Sequence, residues 1–133
     1  MADSPLPVKL GVRPHQTVAL VHAPADFELD VSPDTTVRRR RGDADVLLAF
    51  FTRVRDLEEE VEKLGQHVFP TGSLWIAWPK RTSGVTSDLS DHAIRDIALP
   101  LGLVDNKVCA IDDTWSALRF VWRLSVRSES TAT

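Results

Sequence analysis

The chain has 133 residues, the length of one ordinary domain, because a single hydrophobic core is typically built from about 100 to 150 residues. Hydrophobic residues make up 43% and charged residues 26% of the chain, a balance that excludes a disordered protein. Its 16 basic and 19 acidic residues give a formal net charge of -3, without the overall basic excess of a dedicated nucleic-acid-binding protein. We therefore expect one independently folding domain.

The cysteine content and the N-terminus point to a cellular compartment. The single cysteine, Cys109, excludes an intramolecular disulfide and favours a reducing environment. Residues 1–9 lack the basic start and apolar core of a signal peptide, and no apolar stretch approaches the ~20 residues that cross a bilayer. We predict a cytoplasmic, soluble protein with no membrane partner.

The two ends of the chain differ in character from its middle. Residues 1–16 contain three prolines and little periodicity, which predicts an extended lead-in. Residues 128–133 are polar and predict a flexible tail. One α/β domain is expected over residues 17–127.

Strand and helix patterns alternate through the first half of this domain. An apolar strand is predicted at Thr17–Val21, followed by a weak helix over Ala25–Val31. Thr35–Arg41 has the pattern of an edge strand, and the continuous apolar run within Ala44–Phe51 predicts a central strand covered on both faces. A helix begins at Val54, and Gly65 is predicted to stop it.

The second half repeats this alternation and ends in strands. Ser73–Trp78 is again apolar throughout and predicts a second buried strand. A helix over 89–97 follows, with Ser87 or Asp88 as its candidate N-cap. Val104–Ile111 and the alternating residues after Leu118 predict a β-hairpin that turns around 112–116. The whole order predicts a layered, mixed α/β sheet that is mainly parallel and ends in an antiparallel β-hairpin.

Three blocks of sequence resemble a known family. They are Leu74-Trp75-Ile76-Ala77-Trp78-Pro79-Lys80, then Gly102 through Asp112, and Trp115-Ser116. With these blocks the chain resembles, over about Leu10 to Arg123, a family of small, uncharacterised bacterial proteins known only as a domain of unknown function. The resemblance implies no particular activity.

The order of elements from Ala44 onward also resembles the C-terminal half of class I methyltransferases, whose last strands include an antiparallel member. That likeness implies a fold and not a function, because common α/β sheets support many chemistries. One segment departs from it: a glycine-rich turn lets the backbone approach a nucleotide cofactor, whereas here Val21 is followed by His22-Ala23-Pro24. We therefore predict no bound cofactor.

Local motifs and metal-ligand spacings give little further direction. The sequence contains no phosphate-binding loop, dinucleotide fingerprint, nucleophile elbow or zinc-protease motif. The four histidines lie far apart and share no ligand spacing with Cys109, so we predict no metal site. Cys109 itself lies in an apolar strand, where a thiol is usually a small hydrophobic group.

The better candidate is a ligand site beyond the carboxyl ends of the parallel strands, where α/β sheets usually bind ligands. His22, Trp78, Lys80 and Asp88 follow two predicted strands, and Asp112 and Trp115 follow another. We expect Lys80 to bind an anion, Trp78 or Trp115 to stack on a flat group, and Asp112 to accept hydrogen bonds. The alternative interpretation is that the tryptophans pack at the rim of the core while the polar residues cap turns and helix ends.

These patterns leave three functions open. The first is a small binding or interaction module for an unidentified anionic ligand or protein partner; edge strands would also permit a homodimer. The second is a transferase-like enzyme acting on an anionic or nucleotide-like ligand. The third is nucleic-acid binding through Arg38–Arg41, against which stand the acidic chain and the lack of neighbouring aromatic residues. No nucleophile paired with a base is recognisable, so whether the chain is an enzyme is left open.

Overall fold

The computed structural model describes residues 5–126. Helices and strands alternate through these residues, with two short 3-10 turns at Arg81–Ser83 and Leu99–Leu101. In chain order the elements are α1 (Leu6–Lys9), β1 (Thr17–Val21), β2 (Thr36–Arg38), β3 (Val46–Phe50), α2 (Val54–Val68), β4 (Ser73–Pro79), α3 (Asp91–Ala98), β5 (Leu103–Ala110) and β6 (Trp115–Trp122).

Six strands form one mixed sheet in the order β2-β1-β3-β4-β6-β5. β1 runs parallel to β2 and to β3, and β3 runs parallel to β4. β6 lies antiparallel between β4 and β5, closing the sheet with a hairpin. The predicted fold class is confirmed, and the three uninterrupted parallel pairings bring the carboxyl ends of β1, β3 and β4 to one edge of the sheet.

One face of the sheet is covered by helices α2 and α3. Leu47 and Ala49 of β3 point to this face, as do Leu74 and Ile76 of β4. They pack against the apolar sides of the two helices, whose buried residues recur at helical spacing. The full set of buried helix residues in this layer is Leu57, Val61, Leu64, Val68, Ile94 and Ala98.

The opposite face is covered without a long helix. Leu48 and Phe50 of β3 and Trp75 of β4 point to this face and are buried. The covering residues come from α1 and the turn after it, from the loop after β1, and from the β5-β6 hairpin; they include Leu6, Leu10, Val12, Ala23, Phe27, Leu29 and Trp115. Because both faces are closed, β3 and β4 are the interior strands that their continuous apolar sequences predict.

A hydrogen bond fastens the N-terminal part of this cover to the sheet. The buried indole Nε1 of Trp75 donates to the backbone oxygen of Leu10 at 3.0 Å. Leu10 is itself fully buried. The segment expected to be an extended lead-in therefore contains a short helix and contributes to the core.

The predicted helix over Ala25–Val31 is wrong. The segment forms a turn in which the amide of Phe27 donates to the oxygen of Pro24, and it then continues as irregular chain. Arg39 donates to the carbonyl oxygens of Pro24 and Phe27, at 2.8 and 2.7 Å, and neither oxygen accepts from the amide four residues later, as it would in an α-helix. Phe27 and Leu29 still pack on the sheet, two residues apart rather than at helical spacing.

Two predicted helix ends are also wrong. α2 continues through Gly65 to Val68. Gly65 is a packing position for Trp122, because a Cβ at this residue would lie 3.0 Å from the Trp122 ring. The indole of Trp122 also donates to the backbone oxygen of Gly65 at 2.8 Å. α3 begins one turn later than predicted. Its N-cap is Ser90, whose side chain accepts from the amide of Ala93, and not Ser87 or Asp88.

Among the described residues, no helix is long and apolar enough to span a membrane. The predicted tail over 128–133 lies outside them.

Replacing Trp75 with phenylalanine tests the attachment of the N-terminal cover. The substitution Trp75→Phe deprives the Leu10 oxygen of its donor and leaves a gap in a fully buried site. We expect the free energy of unfolding, measured in urea, to fall by about 2 to 3 kcal/mol. Trp78→Phe is the matched control because Trp78 is only partly buried, and its cost should be about 1 kcal/mol or less. Equal costs for the two variants would contradict this account.

Gly72→Ala tests the tight connection between α2 and β4. A Cβ at Gly72 would lie 2.8 Å from two backbone oxygens, those of Asp45 and Val68, and neither can move without shifting an element. We expect a loss of about 2 kcal/mol or more in the free energy of unfolding. Gly42→Ala, where no atom lies within 4 Å of the added Cβ, should change it by less than about 0.5 kcal/mol. A neutral Gly72→Ala variant would show that this connection is not closely packed.

Candidate functional site

A crevice opens beyond the carboxyl ends of β1 and β3. Its deeper part, here called the helix-side cavity, has a volume of about 400 Å³ and lies against the first turns of α2. His22 follows β1, Phe51 and Thr52 follow β3, and Trp115 begins β6. The cavity is lined by His22, Phe50, Phe51, Thr52, Asp56, Glu60 and Trp115.

Trp115 also borders a second cavity of about 330 Å³, here called the loop-side cavity, between the loop after β1 and the β5-β6 turn. Its lining comprises Leu6, Pro24, Asp26, Phe27, Glu28, Ile111, Asp112, Thr114 and Trp115. The two cavities therefore share Trp115 in their linings, and together they are here called the crevice.

Aromatic side chains form the apolar part of this crevice. The ring centroids of Phe50 and Trp115 lie 5.0 Å apart and those of Phe27 and Phe50 lie 5.1 Å apart, both pairs in edge-to-face geometry. Phe50 is buried, whereas Trp115 and Phe27 are partly exposed to the crevice. The exposed parts of their rings offer a surface for an apolar or flat group.

His22 connects the end of β1 to helix α2. Its backbone has a positive φ of 57°, a left-handed conformation that turns the chain sharply out of the strand. Its Nε2 lies 2.7 Å from a carboxylate oxygen of Glu60, while the other oxygen of Glu60 lies 3.6 Å from Arg41. The His22 ring also meets Phe51 edge to face at 5.5 Å. These contacts fix one wall of the helix-side cavity.

The structure brings three of the six predicted site residues to the crevice. His22 lines the helix-side cavity, Asp112 lines the loop-side cavity, and Trp115 lines both. A carboxylate oxygen of Asp112 also accepts from the amides of Thr114 and Trp115, both at 2.8 Å, which holds the hairpin turn.

The other three predicted residues lie outside the cavity linings. The Nζ of Lys80 donates to the backbone oxygen of Asp112 at 2.7 Å, so the ammonium group of Lys80 holds the hairpin. Asp88 accepts from the amide of Val54 at 2.7 Å and so stabilises the start of α2. Trp78 packs on the helix-covered face of the sheet and lines neither cavity.

Sequence reasoning missed several lining residues. Phe51 follows β3 directly, and Asp56 and Glu60 lie in the helix that comes next, so the rule that ligands bind beyond strand ends could have found them. Phe27 could not have been found this way. Its position depends on a loop that was predicted to be helical.

The remaining candidates have other roles. Of the four arginines at 38–41, Arg39 donates hydrogen bonds to backbone oxygens of the loop after β1, and Arg41 forms an ion pair with Glu60. Burial raises the pKa of the Cys109 thiol above its ordinary value, although Lys107 and Lys9 oppose this, so the thiol is predominantly protonated at neutral pH. Within residues 5–126, no group of three or more histidine, cysteine or carboxylate side chains could hold a metal ion.

No family model matches the sequence, and no curated protein matches it either. Solved structures do match its fold. A SAM-dependent methyltransferase from Aquifex aeolicus superimposes with a TM-score of 0.53 at 14% identity, over 89% of this chain and 93% of that chain. A ribosomal protein methylase from Lactobacillus delbrueckii subsp. bulgaricus gives a TM-score of 0.54 at 12% identity, over 89% of this chain and 77% of that chain.

A magnesium protoporphyrin IX methyltransferase from Synechocystis, with bound SAH, gives a TM-score of 0.51 at 11% identity. The match covers 68% of this chain and 52% of that chain, so this chain matches about half the length of that enzyme. All three identities are low, and the likeness is one of fold. The sheet of this chain is similar in fold to the sheets of these SAM-dependent methyltransferases, as the order of its elements predicts.

Proposed function

We propose that the chain is a small binding module, which keeps a methyltransferase-type sheet and uses the crevice around Trp115 to hold a ligand. The observation that carries the proposal is the crevice itself. It combines partly exposed aromatic rings with carboxylate groups at the strand edge where α/β sheets bind ligands.

The fold of the structural relatives implies S-adenosylmethionine as a cofactor, but the residues after β1 do not fit it. A nucleotide cofactor at this position needs a glycine-rich turn that lets the backbone come close, and a helix whose N-terminus faces the ligand. Here His22-Ala23-Pro24 follows the strand, and the chain reaches β2 without a helix. Phe27 lies on Phe50 at this edge and is held by the bonds from Arg39.

The residues in the crevice also favour binding over catalysis. His22 is the one histidine that lines either cavity, and its Nε2 already contacts Glu60. No serine or cysteine lies in either lining, and the two threonines there, Thr52 and Thr114, form no hydrogen bond with His22 that would activate a hydroxyl as a nucleophile.

A transferase-like enzyme is the second candidate, favoured by the fold of the structural relatives. Such an enzyme would have to bind its cofactor without a glycine-rich turn after β1.

The resemblance to small, uncharacterised bacterial proteins belongs to the same proposal. Its three sequence blocks come together in space, since β4, β6 and β5 are neighbours and Lys80 binds the turn at Asp112.

Calorimetric titration with S-adenosylmethionine and with S-adenosylhomocysteine separates the two candidates. A binding module without a cofactor turn should show no saturable binding up to about 1 mM of either compound. The methyltransferase from Aquifex aeolicus serves as the positive control. Stoichiometric binding of either compound to this chain would contradict the proposed function and support the transferase.

A further inference from the structure

We propose that the crevice on both sides of Trp115 binds a basic peptide segment of a partner protein, with cationic side chains held among aromatic rings and carboxylates. The inference rests on the proposed function and names the chemistry of its ligand.

The negative charge of the crevice favours a positively charged ligand. Neither cavity lining contains a lysine or an arginine. The two linings contain five carboxylates, Asp26, Glu28, Asp56, Glu60 and Asp112. A crevice with this lining attracts a cation and repels an anion.

Three of these carboxylates remain available to a ligand. Glu60 is occupied by His22 and Arg41, and Asp112 by two amides of its own turn. In the part of the chain that the structure describes, Asp26, Glu28 and Asp56 form no side-chain hydrogen bond or ion pair. At least one such group lies in each cavity.

Two basic side chains near the crevice bind the chain itself. Arg39 donates to two carbonyl oxygens of the loop after β1, and Lys80 donates to the backbone oxygen of Asp112. Their contacts hold the walls in place. Neither of them pairs with Asp26, Glu28 or Asp56, so these carboxylates can accept a cation from outside the chain.

The aromatic rings favour the same ligand. Phe27 and Trp115 are partly exposed, and Trp115 borders both cavities. A cationic side chain gains energy over the face of an aromatic ring, most over an indole, and its methylene groups pack on apolar surface.

The shape of the crevice favours a peptide over a compact cation. The two cavities, of about 400 and 330 Å³, both have Trp115 in their linings, so a ligand longer than a small ion can contact both of them. In an extended peptide, residues two apart point to the same side. A segment with basic residues at that spacing can place one in each cavity.

The experiment measures the affinity of fluorescein-labelled peptides by fluorescence anisotropy. The probe is a short alternating alanine–arginine peptide, and the comparison is an alanine–glutamate peptide of the same length. The double variant Asp26→Asn/Asp56→Asn removes one free carboxylate from each cavity. Glu58→Gln/Glu62→Gln is the matched control, since it removes the same charge from a different surface of α2.

We expect the alanine–arginine peptide to bind the unaltered chain and the alanine–glutamate peptide not to bind. The crevice variant should weaken binding about fivefold to tenfold, as expected for two partly exposed ion pairs, and the control by less than about twofold. Circular dichroism of both variants confirms that they are folded.

Nuclear magnetic resonance locates the contact. Addition of the alanine–arginine peptide should shift the indole N–H signal of Trp115 and leave that of Trp78, which lines neither cavity, unchanged.

Equal losses of affinity in the two double variants would overturn the inference, because they would show attraction to the acidic chain as a whole. Binding of the alanine–glutamate peptide at Trp115 would also overturn it while leaving the proposed binding module standing. Spermidine that binds at Trp115 as tightly as the peptide would exclude a peptide as the specific ligand. The titration with S-adenosylmethionine tests the proposed function separately.

Discussion

Strands β3 and β4 bury both of their faces, and this double burial is the constraint on which the rest of the structure depends. A strand apolar at every position needs a cover on each side. Helices α2 and α3 provide one cover. The other is made of short and irregular pieces: α1 with the turn after it, the loop after β1, and the β5-β6 hairpin. The fold therefore closes its second face with very little regular structure.

The candidate site is a consequence of that irregular cover. A helix after β1 would place its N-terminus at the carboxyl end of the strand, where many α/β proteins bind a nucleotide. Here the loop instead places Phe27 on Phe50 and leaves Asp26 and Glu28 at the surface. The same loop forms one wall of an acidic, aromatic crevice. A sheet that is similar in fold to those of methyltransferases thus has aromatic rings and carboxylates beyond the end of β1.

Sequence reasoning was most successful where burial alone determines structure. The runs that become β3 and β4 are apolar throughout, and this is sufficient to predict interior strands. It failed where tertiary contacts are involved: Trp122 packs on Gly65 inside helix α2, and Arg39 binds the carbonyl oxygens of Pro24 and Phe27 in the irregular loop after β1. For the site, strand ends indicated His22, Asp112 and Trp115. The roles of Lys80 and Asp88 depend on distant backbone partners that no local pattern reveals.

The most direct test of the account concerns the loop after β1. Nuclear Overhauser effects in solution report which protons lie close together. The account predicts cross-peaks between the ring protons of Phe27 and Phe50, without the helical pattern of contacts between residues three apart over 25–31. A helical pattern over that segment, or the absence of contacts between the two rings, would contradict it. Either result would mean that another structure covers the second face and that the crevice has a different shape.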